Sequence, residues 1–105
     1  MFIGFVTLSD TAFKLMVQTT NGSGTPVDAT THAVAYRIYA PAGGAALLTG
    51  TFVASLVDSQ TGLYVTAALS ITSGNGFAAG SSYRCRLAYA NSGTDYVKEQ
   101  VFTVV

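Results

Sequence analysis

Hydrophobic and polar residues alternate most clearly between Ser82 and Ala90. The apolar side of this stretch carries Tyr83, Cys85, Leu87 and Tyr89, and the other side carries Arg84 and Arg86 with two alanines. A strand with one apolar face has to lie against another apolar layer, because water would otherwise cover that face. The pattern therefore predicts a central strand of a two-layer β-domain.

β-prone runs cover most of the remaining chain, at 2–8, 13–19, 33–39, 47–56, 63–69 and 96–105. Turn-forming residues separate them. We expect the first two runs to form a hairpin across the turn Ser9-Asp10-Thr11. Gly50 indicates a bulge or a close approach by another backbone, and a second bulge is expected near Glu99. Because no long run has a helical period, the sequence predicts an all-β sandwich of about seven strands.

The composition of the chain limits the kinds of partner and of cellular location that we expect. The 105 residues suit a single domain spanning 1–105. Only 10% are charged, against about 25% in ordinary soluble domains, so we expect part of the surface to be covered in use. Five basic residues balance five acidic ones, which predicts no nucleic-acid partner. No apolar run has membrane-spanning length, so no membrane partner is expected. Because no secretory signal follows Met1, we expect synthesis in a cytoplasm.

The residues that could carry chemistry have simpler structural interpretations. His32, the only histidine, is expected to be an ordinary loop residue, since nothing near it in sequence forms a triad or a zinc site. Cys85 lies on the apolar side of its strand, where a thiol packs as a small hydrophobe with a raised pKa. The acidic residues of the predicted turns, which are expected to bond backbone amides, are Asp10, Asp28, Asp58 and Asp95. The sequence predicts no enzyme, no catalytic residue, no metal site and no cofactor.

Two sets of residues are candidates for binding a partner. Arg84 and Arg86 share a face, and Arg37 joins them if its strand is a neighbour, giving a basic stripe that suits carboxylates; a simply solvated face is the alternative. The β-prone N-terminus suits apolar burial and pairing of a strand edge. The candidate partner-binding residues are Phe2, Ile3, Phe5, Arg37, Arg84 and Arg86. Exposure of Tyr39 and Tyr89 would instead favour stacking on a sugar.

From about Gly24 onward the chain resembles the small immunoglobulin-like β-domains of bacteriophage virion proteins. The residues that carry the resemblance are Thr25-Pro26-Val27-Asp28, Tyr36-Arg37-Ile38-Tyr39, Gly62-Leu63-Tyr64, Phe77-Ala78-Ala79-Gly80 leading into Tyr83-Arg84, and Val101-Phe102-Thr103-Val104. The Cys, Trp, Cys core pattern of antibody domains is absent.

The resemblance implies a single immunoglobulin-like antiparallel β-sandwich and a non-enzymatic virion protein assembled in the host cytoplasm. It points to a capsid decoration, or cement, protein on the outer head surface. A neck or tail adaptor, a fibre module and a receptor- or carbohydrate-binding module are the alternatives. The expected partner is the major capsid protein or another virion protein, and self-association is left open.

Overall fold

The strands follow the β-prone runs of the sequence, and the computed structural model describes them over residues 1–29, 34–53 and 56–105. In chain order they are β1 (Phe2–Val6), β2 (Asp10–Phe13), β3 (Met16–Gln18), β4 (Ala35–Tyr39), β5 (Leu48–Thr51), β6 (Leu63–Val65), β7 (Leu69–Ile71), β8 (Ser82–Asn91) and β9 (Thr94–Val104). The helical segments of these residues are two short 3-10 turns, Val57–Ser59 and Ser73–Asn75. The predicted all-β fold is confirmed.

A long hairpin of β8 and β9 forms the centre of a five-stranded sheet with the order β1-β9-β8-β4-β5. Its two strands pair without interruption from Ser82 opposite Thr103 to Asn91 opposite Thr94. Ser92 and Gly93 both have positive φ, as a two-residue hairpin turn of matching twist requires. The apolar side of β8 is buried and its arginines are exposed, so the alternation predicted for this strand is confirmed.

The predicted antiparallel arrangement is wrong at the N-terminal strand. β1 runs parallel to β9, while β2 pairs with β7 in a separate two-stranded sheet, so the expected first hairpin does not form. The chain turns at Ser9, whose φ is 77°, and the Ser9 amide donates to the carbonyl oxygen of Ile71 over 2.8 Å. This bond directs the chain away from β1 after the turn.

The described residues contain nine strands where about seven were predicted. The two additional strands arise because two β-prone runs are interrupted, at the point where a backbone amide bonds to a side chain instead of to a carbonyl oxygen of a neighbouring strand. The Leu15 amide, between β2 and β3, donates to the Thr66 hydroxyl over 3.0 Å, and Thr66 lies between β6 and β7. The Thr66 amide returns a bond to the Leu15 carbonyl oxygen over 2.9 Å. The runs 13–19 and 63–69 are each interrupted at this contact. The first run therefore contributes to β2 and β3, and the second contributes to β6 and β7.

The bulge predicted near Glu99 is also wrong, because β9 keeps a regular register with β8 through that residue. The irregularity lies in β1, between Phe2 and Gly4, where the φ of Gly4 is 125°. No bulge occurs at Gly50, whose pairing with Tyr36 is regular. A Cβ atom at Gly50 would meet the Tyr36 hydroxyl oxygen at 2.8 Å, so the close neighbour there is a side chain.

The core is one cluster to which all three sheets contribute. Four rings pack together here: Phe77, Tyr83 and Phe102 belong to the cluster, and the partly buried Phe13 packs against it. Their centroid separations include 4.7 Å for Phe77–Tyr83 and 5.0 Å for Phe13–Phe102. Contacts at such distances and tilted geometries are favourable for aromatic rings. This packing holds the inner face of the five-stranded sheet and leaves its outer face and its β1 edge available to a partner.

Candidate partner-binding surface

Strand β1 forms one edge of the five-stranded sheet and carries two exposed aromatic rings. Phe2 is 54% and Phe5 is 70% exposed. Their ring centroids lie 5.3 Å apart in an edge-to-face arrangement. Neither ring belongs to the core cluster, whereas Ile3 packs against it. The sequence therefore places two large apolar side chains where the fold itself does not use them.

The irregularity in β1 brings these two rings onto the same side. In a regular strand, residues three apart point to opposite faces. Here Phe2 is paired with Val101 and Phe5 with Thr103, and those two residues of β9 point outward together, because the intervening Phe102 is buried. The positive φ of Gly4 permits this local shift, since glycine adopts such angles without steric cost. Sequence alternation alone could not have shown it.

A cleft of about 360 Å³ lies behind the β1 edge, between it and β3. Met1, Ile3, Met16 and Leu63 give it apolar walls. Gln100 also lines it, and its side-chain amide nitrogen donates to the Met16 carbonyl oxygen over 2.9 Å. This hydrogen bond joins β9 to β3. The exposed side chains of Met1 and Met16 extend the apolar surface around the edge.

The three candidate arginines lie on the outer face of the same sheet. Arg84 and Arg86 are exposed on β8, and Arg37 is exposed on β4 directly opposite Arg86. The condition set by the sequence, that the strand of Arg37 neighbours that of the other two, is met. Arg84 forms an ion pair with Glu99 of β9 at 3.9 Å, with both side chains half exposed. Such an exposed pair adds little stability.

The sheet places Arg84 in one row with Phe2. The row runs from Phe2 through Val101 to Arg84 across three neighbouring strands. With neighbouring strands about 4.8 Å apart, the backbones of Phe2 and Arg84 lie about 10 Å from each other. The aromatic edge and the arginine face are thus parts of one continuous surface. Ile3 is the candidate that the structure turns away from it.

The residues that the sequence analysis weighed for chemistry are Cys85, His32 and the acidic side chains. Cys85 is fully buried, and this burial raises the pKa of its thiol to about 12, so the prediction of a core cysteine is confirmed. Among the described residues, no three His, Cys, Asp or Glu side chains are grouped so that they could hold a metal ion. His32 lies outside the described residues. None of the helical segments within residues 1–29, 34–53 and 56–105 has the length and apolar character to span a membrane.

Tyr89 does not offer a stacking surface, contrary to one alternative. It is only 4% exposed. Its hydroxyl donates to the carbonyl oxygen of Thr20 over 2.8 Å and accepts from the amide of that residue over 3.0 Å. Tyr39, at the end of β4, is half-buried. The condition for the sugar-stacking alternative, exposure of both Tyr39 and Tyr89, is therefore not met.

The sequence interpretation passed over the outward residues of β9 and their small neighbours. Val97 is 49% exposed, and it lies in one row with Ala88 of β8 and Ala35 of β4. The signal was present as the alternation of Val97 and Val101 with buried residues, but the expectation of a bulge obscured it.

Comparisons of the chain with protein-family models, with curated proteins and with solved structures return no match.

Proposed function

We propose that this chain is a non-enzymatic structural protein of a bacteriophage virion, and that it decorates the capsid by binding the outer head surface through β1. The resemblance in sequence supplies the virion setting. The observation that carries the mode of binding is the aromatic pair Phe2 and Phe5, exposed on an edge strand. An exposed apolar patch of this kind is informative, because single exposed apolar residues are common but paired aromatics outside the core are not needed for folding.

The fold that belongs to this proposal is an immunoglobulin-like β-sandwich. The joining of buried residues from all three sheets into one cluster supports a packed two-layer arrangement. An experimental structure in which the two short sheets do not face the five-stranded sheet would contradict it.

The free edge of β1 adds backbone hydrogen bonds to the apolar contact. In the described residues β1 has a strand neighbour only on the β9 side, so its other side can accept a strand from a partner. The other edge strand, β5, presents Thr49 and Thr51 outward. It offers hydroxyl groups where β1 offers rings, so β1 is the better candidate for apolar docking. A second copy of the chain could pair there as well.

The rings can contribute substantially to affinity. Fully burying a phenylalanine is worth about 1.5–3 kcal/mol, so the exposed fractions of Phe2 and Phe5 together correspond to about 2–4 kcal/mol. That free energy equals a change of about 30-fold or more in a dissociation constant. The chain has no net charge, and long-range attraction therefore contributes weakly.

The test begins with the particle. Purified virions are analysed by mass spectrometry for the chain, and electron cryomicroscopy locates it; we expect many copies on the outer head. Absence from the particle contradicts the proposal. A position at the neck or tail would contradict the assignment to the head.

The mode of binding is tested with particles stripped of the chain and incubated with purified protein. The variant Phe2→Ser/Phe5→Ser should bind about 30-fold more weakly or worse. Val53→Ser is the matched control, because Val53 is also exposed, at 43%, but follows β5 at the opposite edge. Wild-type protein should stay bound up to about 1 M NaCl, where the Debye length is roughly 3 Å. Release by moderate salt, or equal loss in both variants, would refute docking through β1.

A further inference from the structure

Arg37 and Arg86 form an unusual pair on the outer face of the five-stranded sheet. They are directly opposite each other on β4 and β8, and both are exposed. Like charges in that position destabilise a sheet. A pair that costs stability without contributing to the core is a candidate for binding, because a bridging anion would turn the repulsion into attraction.

The acidic residue nearest in register does not neutralise this pair. Glu99 is opposite Arg86 on the β9 side, but its carboxylate forms its ion pair with Arg84. Within the described residues, neither Arg37 nor Arg86 has a carboxylate within ion-pair distance. Both guanidinium groups are thus free to donate to a ligand, and their planar forks match a carboxylate.

The arginine pair borders an apolar depression. A cavity of about 300 Å³ is lined by Arg37 and Arg86 together with Ala35, Ala88 and Val97. The depression exists because the row next to the arginines carries methyl side chains on β4 and β8, so the long arginine side chains and Val97 rise above its floor. A bare inorganic anion gains nothing from such a floor, whereas an apolar side chain attached to the anion does.

The depression continues away from the arginines and ends at a negative charge. A second cavity of about 330 Å³ shares Ala35, Ala88 and Val97 and reaches Asp95 and Tyr96. A ligand that lies along both cavities would therefore meet positive charge at one end, apolar surface in the middle and a carboxylate at the other end. This arrangement selects against a ligand that is acidic throughout.

We propose that this surface, the arginine depression of Ala35, Arg37, Arg86, Ala88 and Val97, binds a segment of a partner protein with a carboxylate beside apolar residues. The carboxylate lies between Arg37 and Arg86, and the apolar side chains lie over the alanines. The proposal rests on the proposed function in that it takes the partner to be a protein. In addition to the apolar contact at β1, the arginine depression provides a second contact, and this one selects the partner.

The test uses the purified chain in solution and needs no virion. The probe is the peptide acetyl-Glu-Val-Val-amide, and acetyl-Gln-Val-Val-amide is its uncharged control. Binding is followed by the backbone amide signals of Ala35, Ala88 and Val97 in nitrogen-proton NMR spectra. We expect the charged peptide to shift these signals with saturation and the uncharged one to bind about 10-fold more weakly or worse.

Matched variants identify the contact. Arg37→Gln/Arg86→Gln should weaken binding of the charged peptide by about 10-fold or more, while Lys14→Gln, which removes an exposed positive charge between β2 and β3, should change it by less than about twofold. Equal effects of the two changes, or no saturable shift, would overturn the proposal. Inorganic phosphate is titrated in parallel, and binding as tight as that of the charged peptide would show a general anion site and overturn it too.

The two proposals fail separately. Peptide binding at the arginine depression with no chain on the particle would leave this inference standing and remove the virion function. A chain that decorates the capsid through β1 but does not bind the peptide would do the reverse.

Discussion

Replacing Gly62 by alanine should destabilise the fold, because the new Cβ atom would collide with backbone atoms, whereas the close neighbours of Gly50 and Gly76 are side-chain atoms. The φ of Gly62 is 73°. A Cβ atom there would lie 2.6 Å from the carbonyl oxygen of Thr19 and 2.7 Å from that of Val27. The backbone of Gly62 also joins these segments, since its amide donates to Asp28 over 2.7 Å and its carbonyl accepts from the Thr19 amide over 2.7 Å. The added methyl group cannot be accommodated without moving this backbone.

Gly80 provides the matched control. Its φ is 88°, and nothing lies within 4 Å of a Cβ atom built on it. Alanine in the left-handed region costs roughly 1–2 kcal/mol at either position. Close contact adds about 1–3 kcal/mol at Gly62 alone. The gain from a less flexible unfolded chain is about equal for both and cancels in the comparison. We expect losses of about 2–5 kcal/mol for Gly62→Ala and about 1–2 kcal/mol for Gly80→Ala.

The assay is urea unfolding of both variants, followed by tyrosine fluorescence, with thermal unfolding as a second measure. A difference of 1 kcal/mol corresponds to about 4–8 °C in Tm for a domain near this size, so Gly62→Ala should melt at least about 4 °C below Gly80→Ala. Equal losses of stability in the two variants would refute the argument, because they would mean that the segments around Thr19 and Val27 do not approach Gly62 closely.

Three further changes test other parts of the structure. Phe102→Ala removes a ring from the four-ring group and should cost about 3–5 kcal/mol in urea unfolding, whereas Val97→Ala, on the exposed face, should cost less than about 1 kcal/mol; similar losses would contradict the placement of the core. Arg37→Gln should raise the free energy of unfolding by about 0.2–1 kcal/mol by relieving repulsion from Arg86, and a loss would show that Arg37 stabilises the fold. Cys85 should react with a thiol reagent only after denaturation, since burial raises its pKa from 9.0 to about 12. Because the folded thiol keeps its proton where the unfolded one loses it, stability should fall with rising pH above about 9, by up to about 1.4 kcal/mol per unit, and Cys85→Ala should lack this part of the slope.

The sequence alone determined the features that depend on local pattern. The alternation in β8 gave the buried side with Cys85 and the exposed side with Arg84 and Arg86, because the two faces of a strand follow directly from a period of two residues. The absence of a helical period predicted the all-β fold, because the period of the apolar residues is also a local property of the sequence. These predictions needed no knowledge of which strands are neighbours.

Tertiary structure alone decided how the strands pair, and with it the candidate surfaces. Whether β1 joins β2 or runs parallel to β9 depends on contacts between the two ends of the chain, and no local pattern encodes such a choice. The shift at Gly4 that turns Phe2 and Phe5 to one side is a property of that pairing. Arg37 faces Arg86 only because β4 and β8 are neighbours in this register, and a shift by one residue would have turned one arginine toward the core.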